Sequence, residues 1–169
     1  MRLFIALELP LFIQETLVDQ MNNWKAKNVR GRFCSPQNLH LTLVFLGDQS
    51  KTACTQVETI LKTLSFPKMI LSLQQVGFFK DLCYASIESQ ALQAYVTALR
   101  KKLKEAGFVF DTKPFKAHIT LIRKVSVPNP MQLTLRPMQF EAKCCTLFSS
   151  QLTPQGPIYT PLCEIFPSN

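Results

Sequence analysis

Histidine is scarce in this 169-residue chain, which contains only two, and several common signals are missing altogether. No apolar stretch approaches the length of a membrane span. The short apolar run at the start is typical of a first strand, because a signal peptide has a longer hydrophobic region and a small-residue cleavage site. No low-complexity segment or internal linker divides the chain. We therefore expect one two-lobed domain over residues 1–169, in the cytoplasm and without a membrane partner.

Metal-binding cysteine motifs are also missing. The six cysteines are dispersed, lie mostly in apolar segments and form no Cys-x-x-Cys pair. Free thiols in a reducing compartment are the simplest interpretation of that distribution. Two histidines without a third protein ligand make a poor catalytic zinc site. We therefore expect neither a metal nor a cofactor.

Acidic residues are outnumbered, and the formal net charge is +8. A positive domain attracts polyanions and speeds their capture, so the charge favours a phosphate-bearing substrate over a cationic one. The charge alone does not separate RNA from nucleotides or from a membrane surface. Solubility without any anionic partner explains it equally well.

The two histidines stand in the same four-residue frame, His40-Leu41-Thr42-Leu43 and His118-Ile119-Thr120-Leu121. Side chains two apart in a β-strand share a face, so each histidine projects together with its threonine. The frames are separated by close to half of the chain, which predicts two similar lobes that face each other. Two imidazoles at one cleft are what acid–base cleavage of a phosphodiester requires. The alternative is that the histidines are hydrogen-bonded structural residues and the threonines ordinary strand formers.

Periodicity and turn signals predict an α+β fold with antiparallel sheets. The predicted helices cover 11–26, 51–64 and 90–106, the last with Ser89 as N-cap and Gly107 after its end. The predicted strands cover 2–8, 38–46, 69–76, 83–88, 115–122, 139–152 and 158–165. We expect turns at 77–79 and 153–157, and a basic, turn-rich segment at 30–36.

Four segments carry a resemblance to a known family: RLFIAL at 2–7, NLHLTLVFLG at 38–47, PFKAHITLIR at 114–123 and LTPQGPIY at 152–159. Together they resemble the two-histidine phosphoesterase superfamily. Within it, the chain is most similar to the LigT/ThpR group of RNA 2′,3′-cyclic phosphodiesterases, also called 2′-5′ RNA ligases. The similarity runs nearly from end to end.

The resemblance implies a bilobed, pseudo-twofold arrangement of antiparallel sheets with outer helices and a central cleft lined by both motifs. It also implies hydrolysis of an RNA-terminal 2′,3′-cyclic phosphate to a 2′-phosphate, reversible as 2′-5′ ligation. In that reaction His40 is the general acid for the departing 3′ oxygen and His118 the general base for water, and the sequence leaves the reverse assignment open. Thr42 and Thr120 donate hydrogen bonds to the non-bridging oxygens.

Two departures from the family pattern bear on substrate preference. Val44 stands where many relatives carry a lysine, and we expect it on the face shared with His40; Ile122 replaces a residue that is small in many relatives. Arg123 follows the second motif, as in the family, and is a candidate phosphate ligand. Strict alternation places Arg123 opposite to the second histidine, so it reaches the cleft only if the strand ends or bends there.

Arg32 and Phe33, just before the first motif, are candidates for contacting a phosphate and stacking on a base. A solvated arginine and a core phenylalanine are the alternative. The expected partners are RNAs that end in a 2′,3′-cyclic phosphate, tRNA fragments among them, and we expect a monomer. A phosphodiesterase for small cyclic nucleotides or 2′-5′ oligonucleotides, and a non-catalytic module that binds RNA ends, remain open as alternatives.

Overall fold

The computed structural model describes residues 1–129 and 133–168. Three α-helices are present in the described chain, α1 (Leu11–Ala26), α2 (Lys51–Thr63) and α3 (Gln90–Glu105), together with a short 3-10 helix at Pro36–Asn38. The described strands are β1 (Arg2–Glu8), β2 (Arg30–Phe33), β3 (His40–Asp48), β4 (Ile70–Phe79), β5 (Leu82–Glu88), β6 (His118–Ser126), β7 (Met138–Glu141), β8 (Cys144–Thr153) and β9 (Gly156–Ile165). None of the helices in the described ranges is long and apolar enough to cross a membrane.

The strands form two antiparallel sheets, which confirms the predicted α+β class. The first sheet has the order β3-β1-β8-β9 and the second has the order β2-β6-β5-β4-β7. Each sheet contains one of the two histidine strands, β3 and β6, and these strands contact each other across the space between the sheets. The chain therefore brings its two motifs together from separate sheets.

The helices pack through the apolar stripes that the sequence predicts. In α3 the buried positions are Leu92, Tyr95, Val96, Leu99 and Leu103. The Ser89 hydroxyl accepts a hydrogen bond from the Leu92 N–H at 3.1 Å, which satisfies one of the unpaired donors of the first turn. At the other end, Gly107 adopts a φ of +89° and its N–H bonds to the Lys104 carbonyl, which ends the helix. Both predicted caps are confirmed.

The turn predicted at 77–79 is wrong. These residues belong to β4, and the chain reverses at Lys80, which has a φ of +54°, and Asp81. Gly77 has another reason to be glycine, because a Cβ atom there would lie 2.4 Å from Cζ of Tyr84 on the neighbouring strand. Gly77 therefore leaves space for an aromatic ring that lies flat against the sheet.

Other predicted boundaries also differ from the structure; β6, for example, covers His118–Ser126 and not the predicted 115–122. The strand predicted at 139–152 is two strands, because the chain leaves the second sheet after β7, passes Ala142 and Lys143, and enters the first sheet as β8. The basic segment predicted as turn-rich contains β2, an edge strand that pairs with β6. Gly31 in β2 has a φ of +146° and sits so close to β6 that a Cβ would lie 2.6 Å from Cγ2 of Ile122.

Candidate active site

Each histidine is the first residue of a nine-residue strand, and the first six residues of the two strands have the same burial pattern. His40 and Thr42 are half-buried on one face of β3, and the residues between and after them are buried on the other face. His118 and Thr120 repeat this arrangement in β6. The predicted alternation is therefore correct through the fourth residue of each motif.

Both strands depart from alternation immediately afterwards, because each contains a β-bulge. In β3, Ala6 of β1 pairs with Thr42 and Ile5 with Val44, so Leu43 is an extra residue in the ladder. In consequence Val44 is buried on the core side, with 4% of its surface exposed. Our expectation that Val44 shares a face with the first histidine is wrong for this reason.

The second bulge has the opposite consequence for the arginine of the motif. Tyr84 of β5 pairs with Thr120 and Cys83 with Ile122, so Leu121 is the extra residue. Ile122 is buried and Arg123 is exposed, on the face that carries the second histidine. The strand bend that the arginine requires is thus present. The equivalent position after the first bulge holds Phe45, with 61% of its surface exposed.

Each imidazole is oriented by a carbonyl group two residues before it. Nδ1 of His40 lies 2.6 Å from the Asn38 carbonyl oxygen, and Nδ1 of His118 lies 2.8 Å from that of Lys116. A carbonyl only accepts, so each Nδ1 carries the proton and donates it. Nε2 is then the atom that exchanges protons with a substrate. Nε2 of His40 is 2.8 Å from the Thr42 hydroxyl, which donates to it when the ring is neutral.

The charges around His40 show that the two motifs share one environment. Its pKa is lowered from the ordinary value, chiefly by burial; the Asn38 carbonyl acts in the opposite direction, and the charges of Arg123 and His118 lower it further. The Arg123 charge also acts on the phenol of Tyr159 and the thiol of Cys34. Burial and the neighbouring positive charges therefore favour the neutral form of His40 in the free protein.

Four aromatic side chains, which we call the aromatic wall, lie around the first histidine: Phe4, Phe45, Phe148 and Tyr159. The sequence did not predict this cluster. The Phe4 ring lies 5.2 Å from the His40 ring, 5.6 Å from that of Phe45 and 5.2 Å from that of Phe148. Tyr159 stands edge-on to His40 at 5.2 Å and 89°. The Tyr159 position lies inside a segment of the family resemblance, which was the available signal. The wall gives the first motif an apolar setting, whereas the second motif is accompanied by Arg123.

The two candidates before the first motif lie on different sides of β2. Arg32 pairs with Arg123 and is exposed, so it lies at the edge of the same face. Phe33 pairs with the buried Ile122 and packs against the main core, with the Lys25 ammonium 4.7 Å from its ring centre. The structure therefore brings Arg32 near the site and does not bring Phe33 to the histidines.

One group of potential metal ligands occurs in the described residues: Glu8, Cys144 and Glu164, with ligand atoms within 4.8 Å of one another. The Cys144 thiol donates to Oε2 of Glu8 at 2.9 Å, and the Thr146 hydroxyl donates to the same oxygen. Burial, with the nearby Glu8 carboxylate, raises the pKa of Cys144 to about 12. A metal requires the thiolate, so these residues fit a hydrogen-bonded group better than a metal site. All six cysteines are free, as the sequence predicts.

Two antiparallel sheets whose contacting strands carry matching His-x-Thr motifs define a two-histidine phosphoesterase architecture. Comparison with known proteins agrees. The family described as the AKAP7 2′5′ RNA ligase-like domain matches residues 7–148. The chain therefore belongs to this LigT-like 2′-5′ RNA ligase family of the two-histidine phosphoesterases.

The relatives are similar over nearly their whole length. The chain is 30% identical to an RNA 2′,3′-cyclic phosphodiesterase of Archaeoglobus fulgidus, covering 96% of this chain and 98% of the relative. It is 28% identical to the RNA 2′,3′-cyclic phosphodiesterase of Escherichia coli, covering 95% and 93%. The crystal structure of E. coli LigT complexed with 3′-AMP superposes with a TM-score of 0.86 at 26% identity, over 99% and 98% of the two chains.

Proposed function

We propose that this chain hydrolyses RNA-terminal 2′,3′-cyclic phosphates to 2′-phosphates by metal-independent acid–base catalysis with two histidines. The observation that carries the proposal is the pair of imidazoles on equivalent strands, each with Nδ1 bound to a main-chain carbonyl, so that Nε2 is the atom that exchanges protons. The Thr42 hydroxyl that bonds to Nε2 of His40 in the free protein turns to the phosphate when the substrate binds. The family membership and the phosphodiesterase names of the relatives support the substrate class.

The reaction breaks the bond between phosphorus and the 3′ oxygen. His118 takes a proton from water as the oxygen of that water bonds to phosphorus, and His40 gives a proton to the departing 3′ oxygen. The products are a 2′-phosphate monoester and a free 3′-hydroxyl. Burial lowers the pKa of His40 and favours its neutral form in the free protein, so this assignment requires the bound anionic phosphate to raise that pKa. The reverse assignment is the alternative, and the pH profiles of the single histidine variants test it, because loss of the base removes the acidic limb and loss of the acid removes the alkaline limb.

The remaining groups stabilise the phosphate. The hydroxyls of Thr42 and Thr120 donate to the non-bridging oxygens, where charge builds in the transition state. Arg123 neutralises that charge, and Arg32 at the edge of the cleft contributes a second cation. With a 5′-hydroxyl of RNA in place of water, the same groups form a 2′-5′ linkage, and with every role reversed they cleave it.

The sheets contribute one motif each, so we propose that the chain acts as a single domain and as a monomer. The site then needs no second copy to supply a histidine. Analytical ultracentrifugation over a range of protein concentrations tests the monomer. A dimer at the concentration where the protein is active would contradict it. We also propose a cytoplasmic location, because the six free cysteines fit a reducing compartment.

The decisive experiment uses an oligoribonucleotide that ends in a 2′,3′-cyclic phosphate, incubated with chelator. Mass spectrometry and resistance to a 3′-phosphatase identify the product end. We expect a gain of one water and a 2′-phosphate, with a bell-shaped dependence of the rate on pH. A 3′-phosphate product, or activity that chelator abolishes and a divalent ion restores, would contradict the mechanism. Tight RNA binding without turnover would favour a binding module.

A further inference from the structure

The two motifs differ at the residue that precedes each histidine by two. Asn38 and Lys116 both orient their histidines with a main-chain carbonyl, but their side chains are different in kind. The Asn38 amide is neutral and donates to the Pro157 carbonyl at 3.0 Å. The Lys116 ammonium is charged and donates to the Tyr84 hydroxyl at 2.8 Å. The pseudo-twofold symmetry therefore breaks in favour of a cation beside the second histidine.

Tyr84 holds this cation in a defined place. Tyr84 is 8% exposed and pairs with Thr120, so its ring lies on the face of the second motif. The ring centre is 5.4 Å from that of His118 and 5.1 Å from the Lys116 nitrogen. Gly77 on the next strand leaves the space that the phenol ring occupies, since a Cβ atom at Gly77 would approach Cζ of Tyr84 to 2.4 Å. An exposed lysine otherwise samples many rotamers, and the buried phenol limits that freedom.

We propose that Lys116 is a specificity-determining residue that binds the phosphodiester preceding the terminal nucleotide of the RNA. Tyr84 is the positioning residue for its ammonium. The inference rests on the proposed function and names the feature of the substrate that the site selects. Lys116 is exposed, whereas both histidines are half-buried. An ammonium is a point charge that fits a backbone phosphate without demanding one orientation.

In the proposed reaction, other groups already bind the phosphate that reacts. The hydroxyls of Thr42 and Thr120 and the guanidinium of Arg123 project from the face that carries the histidines. Lys116 precedes His118 by two residues in the chain, and its ammonium donates to the hydroxyl of Tyr84. A phosphate one nucleotide further along the strand is the group left for it. The chain would then prefer an oligonucleotide end to a cyclic mononucleotide, which has no such phosphate.

The test compares Lys116→Met with the parent protein on two substrates. One is a tetraribonucleotide ending in a 2′,3′-cyclic phosphate, and the other is 2′,3′-cyclic AMP without a 5′-phosphate. We expect the ratio of the two kcat/KM values, oligonucleotide over mononucleotide, to fall about tenfold, mainly through KM of the oligonucleotide. The slope of log kcat/KM against log salt concentration for the oligonucleotide should fall by about 0.7, the value for one phosphate contact on a single strand.

Two further variants make the result specific. Lys101→Met removes the same charge from the exposed surface of α3, and we expect it to leave the ratio unchanged. Tyr84→Phe keeps the ring and removes only the hydroxyl, and we expect about a threefold fall in the same ratio because a single hydrogen bond is lost.

Four outcomes would overturn the inference. An equal loss on both substrates, which leaves the ratio unchanged, means that Lys116 acts on the reacting phosphate. No loss on either substrate means that Lys116 does not contact the RNA, and a ratio that Lys101→Met lowers equally means that only general charge is involved. Turnover of neither substrate by the parent protein would contradict the proposed function itself, and this inference with it, before any variant is compared.

Discussion

Arg123 provides the sharpest test of the bulge, because strict alternation and the observed strand place its side chain on opposite faces. In the structure its charge lowers the pKa of His40, and its side chain lies on the face that carries the second histidine. In the proposed reaction it neutralises the phosphate. We consider Arg123→Met, which keeps a long side chain and removes the charge. A hydrogen bond to a charged group contributes about 1.5–3 kcal/mol, or about 10- to 150-fold in rate. Arg123 is exposed, and solvent screening brings the expected loss of kcat/KM to about 10- to 30-fold.

The same substitution should also change the pKa of His40. Removing the positive charge removes one cause that lowers the pKa of His40, so the midpoint should rise while staying below the ordinary value, since burial is the larger cause. The chain has only two histidines, so NMR resolves both imidazoles and one substitution assigns them. Lys124→Met removes the same charge one residue away and is the control for both measurements. If Arg123→Met changes neither the rate nor the titration, the arginine does not share the face of the histidines.

The remaining predictions concern the threonines and the pH response. Thr42→Val and Thr120→Val keep the shape of the side chain and remove a hydrogen-bond donor to the transition state. Each should lower kcat about 10²-fold or more in single-turnover kinetics, with little change in folding by circular dichroism. Full activity of either variant would contradict its role. The imidazole of His40 should titrate below its ordinary value of 6.5 and shift upward with a bound nucleoside 2′-phosphate. As pH falls below 6.5, His40 takes up a proton more readily in the unfolded chain than in the folded protein, so the free energy of unfolding falls. In urea unfolding, the free energy of His40→Gln should therefore depend less on acid than that of the parent protein. Equal dependence would refute this.

The sequence predicted the parts of the site that follow from strand geometry alone. The repeated His-x-Thr frame placed each histidine beside its threonine, and both pairs lie as expected because two-residue periodicity holds up to the bulge. The helices were equally accessible, since their apolar stripes and the Ser89 cap act within a few residues of one another.

Periodicity could not predict the bulges, because an extra residue in a ladder depends on the partner strand. For the same reason, periodicity placed Val44 on the wrong face of its strand and could not decide the face of Arg123. The apolar doublets Leu43-Val44 and Leu121-Ile122 were the visible sign, since two successive buried residues are incompatible with simple alternation in a half-exposed strand. The aromatic wall escaped prediction because it joins rings from four strands that are distant in the sequence.

The central claim is that the two histidines serve one reaction as acid and base. The most direct measurement is the kcat of His40→Ala, His118→Ala and the double variant on RNA ending in a 2′,3′-cyclic phosphate. We predict that each single change lowers kcat by about 10²- to 10⁴-fold. The double change should cost far less than the product of the two, because a pair that acts as a unit fails when either member is lost. A single variant that keeps near-parental turnover, or losses that multiply, would contradict the account.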